Sequence, residues 1–171
     1  MKHQKLYHLV LAALFAALTY VATNIIHVPI PATDGYINLG DCVVLLGAFL
    51  LGPVYGAAAG GIGSALADIL SGYAVFAPGT FVIKALIAVI AALIMQALGS
   101  KTKAAPIVAS IAGEAWMLLG YFLYESIFLG YGLAAAGSIG GNAIQAVAGV
   151  ILASALYAVL SKVPQIKKAA A

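Results

Sequence analysis

The chain has 171 residues, of which 64% are apolar and 8% are charged, whereas soluble domains are roughly half apolar and about a quarter charged. With a mean hydropathy of +1.11, this composition excludes an ordinary soluble domain, a disordered chain and a disulfide scaffold, and it predicts an integral membrane protein. The net charge of +3 comes from eight lysines and five acids, without arginine, and because no basic patch is interleaved with aromatic residues, we expect no nucleic-acid partner.

Apolar stretches separated by Gly, Pro and polar clusters predict an all-α membrane protein, a six-helix bundle in a single domain over residues 1–171. The second and third spans are short and are joined by residues 52–56, a Gly-Pro-containing stretch that predicts a tight turn and hence a helical hairpin. The six spans lie near residues 6–26, 41–55, 56–71, 79–98, 104–127 and 138–161.

The lysines predict the orientation of this bundle. Seven of the eight fall in three groups, and six crossings with both termini in the cytoplasm place every group on the inner side, as the positive-inside rule requires. The groups are Lys2 with Lys5, Lys101 with Lys103, and Lys162 with Lys167 and Lys168.

The outer loop between the first two helices, residues 27–40, is predicted to be structured. Two prolines exclude a helix, and Asp34-Gly35 predicts a turn between two short extended pieces. A structured loop of this length is typical of a lid or a binding loop.

Four ionisable residues remain within the predicted spans: Asp68, Lys84, Glu114 and Glu125. Each charge costs about 2.5–3.5 kcal/mol at the bilayer centre, so each needs a reason. Glu114 is the most anomalous, because it lies ~15 Å beyond the lysines that precede its helix, where neither snorkelling nor capping is available.

Helical spacing brings polar residues of four helices to one depth in the outer half, which predicts a ligand cavity open to the outside. This set comprises Asp68, Lys84, Tyr121, Glu125, Asn142 and Gln145. Other interpretations remain open: Lys84 snorkels outward or pairs with Asp68, Asp41 caps the second helix, and Glu125 reaches interfacial water.

The sequence contains no nucleotide-binding, zinc-protease or serine-hydrolase motif, so we expect no ATP hydrolysis, no enzymatic activity, no metal and no cofactor. Three buried acids and no arginine favour a neutral or amine-bearing ring over a phosphate. A stripe of alanines on the first helix, spaced for close helix approach, serves either internal packing or a partner protein. The stripe comprises Ala12, Ala13, Ala16 and Ala17.

Five segments carry a resemblance to a known family. Together they resemble the substrate-binding S components of energy-coupling factor (ECF) vitamin transporters, most closely the branch linked to pyridoxine-type vitamins or hydroxymethylpyrimidine. The segments are Gly-Tyr-Ile-Asn-Leu-Gly-Asp over 35–41, Leu-Gly-Pro-Val-Tyr-Gly over 51–56, Ser-Ala-Leu-Ala-Asp over 64–68, Ala-Pro-Gly-Thr-Phe-Val-Ile-Lys over 77–84 and Gly-Asn-Ala-Ile-Gln over 141–145.

The resemblance implies a vitamin pocket near the outer face, closed by the first and third outer loops, in a protein of the bacterial cytoplasmic membrane. It also implies a transmembrane coupling protein that docks on the alanine stripe, and two cytoplasmic ATPase subunits. The expected ligand-binding residues are Asn38, Asp41, Asp68, Lys84, Glu114, Tyr121, Glu125, Asn142 and Gln145.

An alternative is a self-sufficient proton- or sodium-coupled transporter that uses Glu114 or Asp68 for coupling. Such transporters usually contain more helices or an inverted repeat, and no repeat is found here. A membrane enzyme or a regulatory scaffold is a third possibility.

Overall fold

The structure is a computed structural model that describes residues 2–98 and 102–163. Within these residues it contains five helices long and apolar enough to cross a membrane. The α-helices are α1 (Lys2–Ile25), α2 (Gly40–Leu70), α3 (Ala77–Leu98), α4 (Ala105–Leu123) and α5 (Ile139–Leu160). A π-helical turn over Tyr124–Phe128 extends α4, and a 3-10 helix over Gly132–Ser138 precedes α5.

Helix α2 contains both the second and the third predicted spans, and it reverses direction at Gly52. This residue has φ 75° and ψ −175°, a left-handed backbone that favours glycine. The two halves lie side by side, because a Cβ atom on Gly60 would lie 2.9 Å from Cγ1 of Val44, and one on Gly56 would lie 2.9 Å from Cα of Ala48. The predicted turn is therefore present, and the two helical segments of α2 on either side of Gly52 form the predicted hairpin.

This reversal brings both ends of α2 to the C-terminal end of α1. The Ser71 hydroxyl donates a hydrogen bond to Oδ1 of Asn24 at 2.5 Å, and a Cβ atom on Gly40 would collide with the Thr23 hydroxyl. The π-helical turn lies at the same end, because Oε1 of Glu125 is within 4 Å of a Cβ position in β2. We call this end of the bundle the loop end.

The opposite end holds the start of α1 and the reversal of α2, where the rings of His8 and Tyr55 stack with centroids 5.3 Å apart. Lys103 and Lys162 line one groove there, and we call it the lysine end. Lys101, Lys167 and Lys168 lie outside the described residues.

The predicted loop forms two short antiparallel strands, β1 (Val28–Ile30) and β2 (Gly35–Ile37), with Ile30 opposite Gly35. The extended pieces are confirmed. The turn covers residues 31–34 and ends at Asp34, which has φ 53°, so Gly35 begins β2 and does not share the turn as predicted.

Helix α2 is the centre of the bundle, and α1 lies at its edge. In the most apolar window of each helix, 61% of the residues of α2 are buried, against 17% of those of α1. Among the core side chains, Leu45, Ile87 and Met117 are fully buried. Much of α1 is therefore free to contact lipid or another protein.

Candidate ligand-binding site

A polar cavity lies at the loop end, and all five α-helices, the π-helical turn and both strands contribute to its lining. Its volume is about 20 Å³, only slightly more than the ~10–15 Å³ that one water molecule needs. A ligand with a ring therefore requires the covering segments to move outward. The lining residues are Thr23, Ile30, Gly35, Tyr36, Asn38, Ser64, Asp68, Phe76, Thr80, Lys84, Tyr121, Glu125, Asn142 and Gln145.

The structure brings together all the residues that helical spacing placed at one depth. The lining includes Asp68, Lys84, Tyr121, Glu125, Asn142 and Gln145, and also the expected Asn38. Two other expected site residues, Asp41 and Glu114, do not line the cavity.

A buried ion pair joins Lys84, which lines the cavity, to Asp41, which lies behind the lining, and each residue is only 1% exposed. Gln145 Nε2 donates to the second Asp41 oxygen at 2.5 Å, and Gln145 Oε1 accepts the backbone N–H of Asn38 at 2.6 Å. Both oxygens of Asp41 are thus bonded, and this network fixes the position of the Lys84 amine.

This network corrects three interpretations of the sequence. Lys84 pairs with Asp41 and not with Asp68, and its burial excludes snorkelling. Asp41 does not cap α2, because its carboxylate is bonded to Lys84 and Gln145; instead Oδ1 of Asn38 accepts the N–H of Gly40 at 2.8 Å. An aspartate can serve either as a helix cap or as the partner in a long-range ion pair. Because Asp41 lies at the start of α2, its sequence position favoured the cap.

Strand β2 covers the cavity and is hydrogen-bonded to α2. The Tyr36 hydroxyl donates to Oδ1 of Asp68 at 2.5 Å, and the His27 ring stacks on the Tyr36 ring with centroids 3.6 Å apart. Burial, together with the Asp68 charge, raises the pKa of Tyr36, so the hydroxyl keeps its proton. Burial also lowers the pKa of His27, although Asp68 opposes this, which favours a neutral ring in the stack.

Glu125 closes another side of the cavity from the π-helical turn. Its Oε2 accepts a hydrogen bond from the Ser138 hydroxyl at 2.5 Å, and the residue is 2% exposed, so it does not reach interfacial water. One turn earlier, the hydroxyls of Tyr121 and Thr80 are 3.1 Å apart, and the Lys84 amine lies 5.4 Å from the centre of the Tyr121 ring. The cavity thus combines carboxylates, hydroxyls, amides and aromatic rings.

Glu114 lies behind this network and outside the cavity. It is 2% exposed, and neither carboxylate oxygen has a hydrogen-bond partner among the described residues. A Cβ atom on Gly149 would lie 2.8 Å from Oε1 of Glu114 and 3.4 Å from Cβ of Asp41. The structure therefore places Glu114 next to Asp41, as a neighbour of the ion pair and not as a lining residue.

Helical spacing could have identified two lining residues that the sequence analysis missed. Ser64 and Thr80 precede Asp68 and Lys84 by four residues, so each shares a helix face with its charged neighbour. Ser138, the partner of Glu125, gave no such signal, because its contact crosses from one irregular segment to another.

Comparison with known proteins identifies relatives over most of the chain. A family model described as "ECF-type riboflavin transporter, S component" matches residues 3–162. A curated protein of Pyrococcus woesei, described as "Uncharacterized protein in gap 3'region", is 37% identical over 142 residues, which cover 83% of this chain and 93% of that protein.

Proposed function

Because the chain belongs to the S components of ECF-type transporters, multi-pass proteins of the cytoplasmic membrane that are not enzymes, we propose that its loop-end cavity binds an aromatic vitamin with high affinity. One observation carries the proposal: polar side chains from α2 to α5 converge on a single enclosed cavity under a two-stranded cover. Burying so many polar side chains inside a membrane protein costs free energy, and such a cluster is therefore typical of a ligand-binding site.

The charges of the cavity favour a neutral or cationic ring. Its lining contains two carboxylates, Asp68 and Glu125, and one cation, Lys84, whose charge is balanced by Asp41. The carboxylates accept hydrogen bonds from hydroxyl or amino groups, and Tyr36 and Tyr121 offer stacking surfaces. A pyridoxine-type vitamer or hydroxymethylpyrimidine fits this chemistry. The resemblance of the motif segments to the family favours the same two ligands.

Riboflavin is the second candidate, because the description of the matching family model favours it. It too has a neutral aromatic ring system, but its tricycle and polyhydroxyl chain need a wider opening of the same cavity. Titration with riboflavin, pyridoxine and hydroxymethylpyrimidine in parallel separates the two candidates.

We expect a ligand to enter by displacing β2. In the closed structure Tyr36 occupies Oδ1 of Asp68, while Oδ2 of the same carboxylate has no hydrogen-bond partner among the described residues. A ring hydroxyl or amine that binds Oδ2 satisfies this buried acceptor and leaves Oδ1 free to accept the Tyr36 hydrogen bond again. This route lets the strand close again over the ligand.

For the topology, we propose six helical segments in the membrane, with both termini inside. Residues 40–51, the first half of α2, are ~18 Å long, shorter than the ~30 Å apolar core of a bilayer. The placement of the termini does not depend on this half, because α2 begins and ends at the loop end. The four other α-helices, α1, α3, α4 and α5, each cross once, and this even number returns the chain to its starting side. The described lysines Lys5, Lys103 and Lys162 then share one face of the membrane.

For energy coupling, we propose that a transmembrane coupling protein with two ATPase subunits docks on α1. The alanine stripe borders an apolar groove of about 550 Å³ between α1 and the second half of α2. Ala12 is buried, and the Ala16 carbonyl lies against Gly63, whereas Ala13 and Ala17 are exposed. One edge of the stripe, Ala12 and Ala16, thus packs inside the protein. The other edge, Ala13 and Ala17, is left for a partner helix.

A transport measurement tests this proposal, with substitutions only at the two exposed alanines of the stripe. In cells that also produce the coupling protein and ATPases, replacing Ala13 and Ala17 together by leucine should reduce vitamin uptake to background, because the added side chains prevent close helix approach. Vitamin binding by the purified variant should stay within about twofold of wild type.

Leu14→Phe is the matched control, since it adds bulk at an exposed position of the same helix, 52% accessible and outside the groove. It should transport normally. Normal uptake by the double-leucine variant would exclude this docking surface, and uptake by the wild-type chain without the ATPases would favour a proton- or sodium-coupled transporter.

A further inference from the structure

A second large groove lies at the lysine end, where α5 meets the ends of α3 and α4. Its volume is about 690 Å³, far larger than that of the loop-end cavity. Neither the proposed vitamin site nor the proposed docking surface uses it. The lining residues are Met95, Thr102, Lys103, Pro106, Ile107, Ser154, Ala155, Tyr157, Ala158, Ser161 and Lys162.

The charge of this groove is positive and uncompensated within the part of the chain that the structure describes. Lys103 and Lys162 are both exposed, and neither forms an ion pair among the described residues. No acidic residue lines the groove. An anionic group at its mouth would therefore meet two cations and no carboxylate.

Below the lysines the groove becomes apolar, and its side chains are exposed on the outside of the bundle. Ile107 is 46% exposed, Ala155 and Ala158 are exposed, and the same surface continues one helical turn deeper to Ile111 and Ile151. These side chains form a track along α4 and α5 that suits an acyl chain and offers nothing to a free inorganic anion.

A polar group lies within the apolar track, deeper along α5 than Ala155 and Ala158. The Ser154 hydroxyl is buried and has no hydrogen-bond partner among the described residues. It precedes Lys162 by two helical turns, or ~12 Å along the axis. Ser154 therefore interrupts the apolar track and does not form a separate polar layer between the lysines and the track.

We propose that this groove binds one anionic phospholipid, with its phosphate against Lys103 and Lys162 and an acyl chain along α4 and α5. The positive charge at the mouth and the apolar surface below it match the headgroup and the acyl chain of such a lipid. The site does not depend on the vitamin, so this proposal and the proposed function can fail separately.

Native mass spectrometry of the full chain in detergent tests the site by titration with dioctanoyl phosphatidylglycerol. We expect one molecule of dioctanoyl phosphatidylglycerol to bind wild-type protein at least tenfold more tightly than dioctanoyl phosphatidylcholine does. Inorganic phosphate should leave no adduct. Lys103→Gln and Lys162→Gln should each weaken binding about fivefold, and the double variant about 25-fold.

Lys5→Gln is the matched control, because Lys5 is an exposed lysine of the same end on α1, away from the groove. Its affinity should remain within twofold of wild type. Ala155→Trp, which fills the track without changing charge, should also abolish tight binding. Equal affinity for the two lipids, an inorganic phosphate adduct that competes with the lipid, or equal losses in the Lys5 and groove variants would each overturn the proposal.

Discussion

Replacing Lys84 by methionine should lower the free energy of unfolding by about 3–5 kcal/mol, because it leaves the buried Asp41 carboxylate without its cation. Both residues are 1% exposed, so water cannot take the place of the lost partner. Reversible unfolding in mixed micelles measures the change. Lys103→Met removes an exposed lysine at the opposite end and should change stability by less than about 0.5 kcal/mol.

The double variant Asp41→Asn with Lys84→Met separates structure from ligand recognition. Removing both charges should restore most of the lost stability. Because Lys84 lines the cavity, we expect the restored protein to bind the vitamin at least tenfold more weakly than wild type. Unchanged affinity in the folded double variant would show that the ion pair serves stability alone.

A phosphate ester of the vitamin should bind at least ~100-fold more weakly than the parent alcohol, a difference of about 2.7 kcal/mol. The ester brings its negative charge next to Asp68 and Glu125, while the charge of Lys84 is already balanced by Asp41. Calorimetry on the matched pair of ligands measures the ratio.

Glu125→Gln supplies the internal control for this electrostatic argument. It keeps a side-chain oxygen that can accept the Ser138 hydrogen bond but removes one negative charge, so the preference for the alcohol should shrink by about tenfold. If wild type binds ester and alcohol equally, or if the preference is the same in Glu125→Gln, the carboxylates do not set the selectivity.

The helices and the shared depth of the polar residues could be predicted from the sequence, because both follow from local periodicity. Apolar runs of about twenty residues are typical of membrane-spanning helices. Residues such as Asn142 and Gln145 share one helix face because of their spacing alone. The two strands were predictable for the same reason, since Asp34 and the nearby prolines act on their own backbone.

The partners of the buried charges could not be predicted in this way. Asp41 and Lys84 are 43 positions apart, and their contact depends on the side-by-side packing of α2 and α3. Sequence position suggested Asp68 as the partner of Lys84 and a helix cap as the role of Asp41. Glu114 shares a helix face with Tyr121, yet it lies behind Asp41, because the absence of a side chain at Gly149 leaves room for it there.

The most direct test of the central claim is a calorimetric titration of the purified chain, without coupling protein or nucleotide, with pyridoxine, hydroxymethylpyrimidine and riboflavin in turn. We predict one-to-one binding with a submicromolar Kd for at least one of the three vitamins, and loss of that binding in the folded Asp68→Asn variant. Failure of the folded wild-type chain to bind any of the three would contradict the assignment of the loop-end cavity as an aromatic-vitamin site.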